Sequence, residues 1–178
     1  MIVLERNGEP LAYDIRPAMK KYGDIDYIYH AWLLAHKMSP EWDMPGVVDQ
    51  EYYHYTHRKL DEIIPRASKN GSLYVCHPQG AEGVVRGFMC AEAFKDFPPI
   101  IHWVQVKKKD KMQGVATAML KQFFLDFDLG KPDTLVYTFS SYDIKKKKRL
   151  RAAIEREGIK LVYLPDLKTT LNEPGWEA

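Results

Sequence analysis

The segment Ile100–Phe124, IIHWVQVKKKDKMQGVATAMLKQFF, constrains the fold of this chain more than any other. Its first seven residues are apolar except at His102 and Gln105, a density that predicts a central strand buried on both faces. After Gly114 the period changes. Ala116, Met119, Leu120, Phe123 and Phe127 recur at helical spacing, and Gly130 with Pro132 marks the stop. A buried strand that feeds an amphipathic helix through a short polar loop is a way to build an anion site from backbone. The first amides of a helix have no internal acceptor, and the helix dipole adds positive potential there. Gly114 admits close approach, Ala116 keeps the next turn narrow, and Lys107, Lys108, Lys109 and Lys111 add charge. A pyrophosphate suits such a place.

Around this segment the pattern is that of one α/β unit. Leu11–Ala18 alternates loosely and reads as a first strand after a flexible start. Asp24 precedes Ile25, Ile28, Trp32, Leu33 and His36, a helical stripe with an aspartate N-cap. Met38–Val48, with two prolines, a glycine and Trp42, reads as a loop. A second helix is predicted from about Asp49 to Ala67, with Pro65 as an early stop. Ser72–His77 and Val84–Phe94 flank the turn residues Pro78–Gly83 and predict a hairpin. Beyond the central helix lie a strand at Thr134–Phe139, a basic helix at Asp143–Arg156 and a last strand at Ile159–Leu164. The order is β-α-α-β-β-β-α-β-α-β, a mixed sheet with flanking helices. Neither a repeat nor a low-complexity linker divides the 178 residues, so a single domain is expected over 1–178.

Composition excludes some function classes. With 46% hydrophobic residues, 12% of the chain aromatic, disorder is not expected. A net charge of +2 makes any basic surface local. Cys76 and Cys90 have neither the spacing of a metal knuckle nor the number for a disulfide framework, and they suit a reducing interior. The opening MIVLERNGEP is no secretory signal and no run approaches the length of a membrane span, so the expectation is a cytoplasmic protein with no membrane partner.

The strand, loop and helix resemble the acetyl-CoA segment of the GNAT superfamily of N-acetyltransferases, where the loop follows R/Q-x-x-G-x-G/A. Here the six residues are Lys111-Met112-Gln113-Gly114-Val115-Ala116. The fourth and sixth positions match, and lysine at the first keeps a cation. More narrowly, Trp32-Leu33, Tyr53 through Arg58, Gly87-Phe88 and HWVQVKK resemble a set of small GNAT-like proteins of bacteria and their viruses. The resemblance implies a GNAT fold and an acetyl-CoA-dependent N-acyltransferase acting on a primary amine. It implies that the strands at 100–106 and 134–139 splay apart around the pantetheine arm. Backbone groups of Val104, Gln105 and Val106 would bind that arm, and Lys111 to Thr117 would hold the pyrophosphate. The acceptor would enter between the two early helices, where Trp32, Tyr53 and His57 are the candidate contacts.

Acyl transfer to an amine needs a proton acceptor and a donor for the leaving thiolate. His102 is the best base on the central strand, since an unperturbed imidazole titrates near neutrality. The bland alternative is a buried histidine donating to a backbone carbonyl. Glu92 is the second candidate base, or else a solvated edge carboxylate. Tyr142 lies where the resemblance implies the general acid, with Ser140 and Ser141 beside it, or it caps a helix. His54 and His57 lie three apart on a helix, but no third ligand stands at a convincing spacing, so no metal is expected.

The run Lys145–Arg151 is cationic at six of seven positions. It reads either as a nucleic-acid contact or as a solvated helix face partly neutralised by Glu155 and Glu157, with a cofactor 3′-phosphate as a third partner. A catalytically reduced protein that binds or modifies nucleic acid through this helix is the alternative function. Oligomeric state is open between monomer and homodimer.

Overall fold

A computed structural model describes residues 2–6, 9–38, 49–110, 114–138 and 149–164. The strands are β1 (Ile2–Arg6), β2 (Glu9–Pro17), β3 (Leu73–Pro78), β4 (Gly87–Phe94), β5 (Phe97–Val106), β6 (Thr134–Tyr137) and β7 (Lys160–Tyr163). The helices are α1 (Asp24–Lys37), α2 (Asp49–Lys69), α3 (Val115–Asp126) and α4 (Arg149–Arg156). All seven strands form one sheet in sequence order, antiparallel from β1 to β5 and parallel from β5 to β7. The element order is the expected one with a strand added in front. Arg6 pairs with Glu9 across the Asn7-Gly8 dipeptide. Asn-Gly is a strong hairpin signal, and the charges that follow Ile2–Leu4 hid the first arm of that hairpin.

Helices cover the sheet on both faces because their apolar stripes leave them no alternative. On one face Ile28 and Trp32 of α1 and Leu60, Ile63, Ile64 and Ala67 of α2 pack on Leu73, Val75, Phe88, Cys90 and Trp103. On the other, Val115, Met119, Leu120 and Phe123 of α3 join Ile154 of α4 over Tyr74, Cys76, Met89, Ala91 and Ile101. Alternate residues of β3 and β4 thus feed opposite cores, as strands buried on both faces must.

Two local expectations are corrected. Asp24 does not cap α1: Gly23, in a left-handed conformation, holds the cap position. Asp24 is instead fully buried and accepts hydrogen bonds from the Met19 amide at 2.7 Å and from Arg16. Nor does Pro65 end α2, which continues to Lys69. The inward stripe through Ala67 carries the helix past a lost backbone bond, as tertiary packing often does.

Gly87 is the tightest point between sheet and helix. A Cβ there would lie 2.9 Å from the Gln105 carbonyl oxygen, 3.3 Å from a Val106 methyl and 3.4 Å from a Val115 methyl. Those neighbours also show that the first turn of α3 lies over the C-terminal end of β5. Gly87→Ala is therefore expected to lower stability by about 1–3 kcal/mol, the usual cost of overpacking against backbone. Gly83→Ala, where the added carbon meets nothing within 4 Å, should be close to neutral. Urea midpoints of the two variants measure the difference, and equal midpoints would remove the claim.

Candidate active site

β5 pairs with β6 at Ile100↔Val136 and Ile101↔Tyr137, and the Thr138 amide adds a hydrogen bond to the Ile101 carbonyl at 3.2 Å. Its C-terminal residues Val104, Gln105 and Val106 pair with Met89, Phe88 and Gly87 of β4, and their side chains are half-buried.

β5 carries a bulge against β4. Cys90 pairs with Trp103 and Ala91 with Ile101, so His102 is the extra residue. The consequence is visible in the cores. Ile101 packs under α3, whereas Trp103, two residues on, packs under α1 and α2. Regular alternation would have kept both on one face. Trp103 stacks on Trp32 with ring centroids 5.3 Å apart, and His102 is left against the end of β6.

His102 is central to a buried polar chain. Its Nε2 lies 2.6 Å from Glu92 Oε2, and its Nδ1 lies 2.9 Å from Thr138 Oγ1. Arg66 of α2 completes the chain with two donors to Glu92, through Nε to Oε1 and through Nη2 to Oε2 at 2.9 Å. Glu92 and His102 are each 1% exposed, and Thr138 7%. Burial alone would raise the Glu92 pKa. Hydrogen bonds from His102 and Arg66, with their charge, outweigh burial and hold it below the usual carboxylate value.

The start of α3 lies by the C-terminal end of β5. Gly114 takes φ +78°, a conformation that other residues rarely adopt, and its carbonyl accepts from the Ala118 amide at 2.9 Å. The amides of Val115, Ala116 and Thr117 precede the first intrahelical donor and so have no acceptor within the helix. The link from β5 is tied down by Asp110, 2% exposed, which accepts from the Tyr13 hydroxyl at 2.8 Å. Burial, then that hydrogen bond and the charge of Asp110, push the Tyr13 pKa up to about 12. Lys107 reaches the other way, its Nζ 5.0 Å from the Tyr27 ring centre.

His102 and Glu92 thus meet in one hydrogen bond. Val104, Gln105 and Val106 end β5, and Gly114 to Thr117 form the start of α3. Lys111, Met112, Gln113, Tyr142, Ser140, Ser141 and Lys145–Lys148 lie outside the described residues. The three acceptor candidates lie on α1 and α2. Trp32 is 4% exposed in the core. Tyr53 is exposed, with Lys37 Nζ 5.2 Å from its ring centre. His57 stacks on Tyr29 with centroids 5.7 Å apart. Among the described residues no cluster of three His, Cys, Asp or Glu could hold a metal ion, and no helix is long and apolar enough to cross a membrane. Arg151 is exposed and pairs with Glu155 at 2.7 Å.

Arg66 and Thr138 were not anticipated. The usable signal for Arg66 was its place three residues after Ile63 on the inward stripe of α2, where a cation needs a buried anion.

No family model matches the chain, and neither does any curated protein. Several solved structures are similar. PH1933 from Pyrococcus horikoshii OT3 is 15% identical over 80% of this chain and 87% of that one, with a TM-score of 0.49. An N-acetyltransferase from Staphylococcus aureus Mu50 is 15% identical over 80% and 82%, at 0.47. Aminoglycoside N-acetyltransferase AAC(6')-Iy, solved with CoA, is 16% identical over 81% and 88%, at 0.43. At such identities and scores the likeness carries no argument, and the architecture rests on the chain's own strand order and the parallel crossovers from β5 to β7.

The lowered Glu92 pKa has a thermodynamic sign. A carboxylate held below its unfolded value stabilises the fold above that value, and the contribution is lost as pH falls through the folded value. Wild type should therefore lose stability as pH falls below the ordinary carboxylate value of 4.5. Glu92→Gln should be less stable at neutral pH and flatter across that window. Denaturant unfolding from about pH 6.5 to about pH 3 measures both curves; parallel curves would contradict the assignment.

Proposed function

We propose that the protein is an acyl-CoA-dependent N-acyltransferase of the GNAT type that transfers an acetyl group to a primary amine. The observation that carries this reading is a buried β5 that leads into α3 through a left-handed Gly114, with the first turn of α3 over the end of β5. The residues fit such a donor. The backbone of Val104, Gln105 and Val106 would pair with an amide-bearing arm as a further strand would. Gly114 and the amides of Val115, Ala116 and Thr117 would take the pyrophosphate, with Lys111 to Gln113 completing the loop. The donor supplies a thioester-activated acyl group. The chain's own residues supply orientation, exclusion of water and the movement of protons.

For that last task Glu92 and His102 are the pair in reach. Glu92, its charge matched by Arg66, accepts from Nε2 and so orients the ring, whose Nδ1 lies 2.9 Å from Thr138 Oγ1. The same arrangement stabilises the imidazolium that forms when Nδ1 takes a proton. Tyr142 stays the proposed general acid by resemblance, and Trp32, Tyr53 and His57 the proposed acceptor contacts. The acceptor is an amine of open class, and a cytoplasmic location agrees with a CoA thioester as donor.

Calorimetric titration with acetyl-CoA tests the reading. Saturable binding is expected in the ordinary substrate range, about 1 μM to 1 mM. Gly114→Glu, which strains a left-handed residue and places a carboxylate at the anion site, should weaken binding at least about tenfold. Ala116→Asp keeps the glycine and should weaken it likewise, with circular dichroism checking that each variant is folded. No heat at several millimolar acetyl-CoA from the wild type would end the proposal.

A further inference from the structure

A carboxylate and a guanidinium face each other beside the start of α3 without completing a hydrogen bond. Asp110, its side chain 3% exposed, uses Oδ1 to accept from Tyr13, while Oδ2 has no hydrogen-bond partner and lies 3.9 Å from Arg86 Nη1. That spacing makes an ion pair but is too long for a hydrogen bond. Arg86 Nε is buried and also lacks an acceptor. Among the described residues the guanidinium therefore donates no hydrogen bond, although buried donors are nearly always satisfied.

Backbone fixes where this guanidinium starts from. The Arg86 amide donates to the Cys76 carbonyl and the Arg86 carbonyl accepts from the Lys107 amide, both at 2.8 Å. The next residue is Gly87, where a Cβ would meet Val115, the first residue of α3. Tyr13 and Cys76 belong to the core under α3, so Arg86 reaches Asp110 on the α3 face of the sheet. Its side chain is 21% exposed, which makes it the outer member of the pair.

We propose that Arg86 is a phosphate ligand for the acyl donor, held ready at the start of α3 by Asp110. This rests on the acyltransfer reading above and adds a residue to it. Phosphate is the chemistry that fits. A planar fork of charged donors pairs with two oxygens of one phosphate, and the neighbouring amides of Val115, Ala116 and Thr117 favour an anion at the same place. Asp110 draws the guanidinium from its inner side without taking up its hydrogens, and the Tyr13 hydroxyl fixes Asp110 in turn. The donor carries phosphate both as a pyrophosphate and as a 3′-phosphate, and the test separates the two.

Calorimetric titration of the full chain and two variants tests this. Arg86→Gln removes the charge. Arg86→Gln combined with Asp110→Asn removes both charges, so that no buried carboxylate is left unpaired. Both variants should bind acetyl-CoA about tenfold or more weakly than wild type. Both should bind acetyl-pantetheine, which has no phosphate, as wild type does, and their acetyl-CoA affinity should fall less steeply with added salt. An equal loss with acetyl-dephospho-CoA assigns Arg86 to the pyrophosphate, and a loss confined to acetyl-CoA assigns it to the 3′-phosphate. Circular dichroism checks folding, and the double variant carries the test where Arg86→Gln alone does not fold. Wild-type affinity in the double variant overturns the proposal, because Arg86 is then no more than a counter-ion to Asp110. Equal losses for acetyl-CoA and acetyl-pantetheine overturn it too, as does a salt dependence that the variants leave unchanged. Failure of the wild type to bind acetyl-CoA sinks the parent reading and this role with it, whereas binding by wild type and double variant alike removes Arg86 alone.

Discussion

The arrangement of the site depends on the extra residue that β5 carries at His102. β5 pairs with β4 along its length and in parallel with β6 at Ile100 and Ile101. The bulge turns Trp103 under α1 and α2, where the stack on Trp32 fixes the strand, and it leaves His102 against the end of β6. Four elements meet there: α2 through Arg66, β4 through Glu92, β5 through His102 and the end of β6 through Thr138.

The opposite end is held by different means. Gly87 lets β4, β5 and α3 approach more closely than any side chain would allow. Gly114 lets the chain turn into α3 in a left-handed conformation, and Asp110 anchors the preceding link to Tyr13, far away in sequence. The helix start is thereby set over the end of β5, where the proposed donor would place its anionic end.

Much of this was legible in the sequence because it rests on short-range signals. The continuous apolar run at Ile100–Val106 and the change to helical period after Gly114 marked β5 and α3. The turn residues at 78–83 marked the β3–β4 hairpin. Tertiary determinants were less visible. The bulge is a matter of register between β4 and β5, and nothing in IIHWVQV announces which residue is extra. Without it Glu92 looked like an edge carboxylate and His102 like a residue seeking a carbonyl. Thr138 reads as an ordinary strand threonine, and Arg66 as one of many charges on a polar helix. Asp24 had the composition of a cap, yet Arg16 and the Met19 amide claim it. Trp32, read as an acceptor contact, is held by the core through Trp103.

The polar chain itself bears on why a core would contain it. A buried ion pair and its hydrogen bonds seldom stabilise a protein more than well-packed hydrocarbon of the same volume would, although breaking the pair costs several kcal/mol. Stability alone therefore does not account for arginine, glutamate, histidine and threonine in series at the join of four elements. What such a series supplies, and hydrocarbon cannot, is a defined hydrogen position and a place to store a proton. Arg66, on α2, is a quarter exposed, whereas Glu92, His102 and Thr138 are buried where β4, β5 and β6 meet, so a proton held there is shielded from solvent.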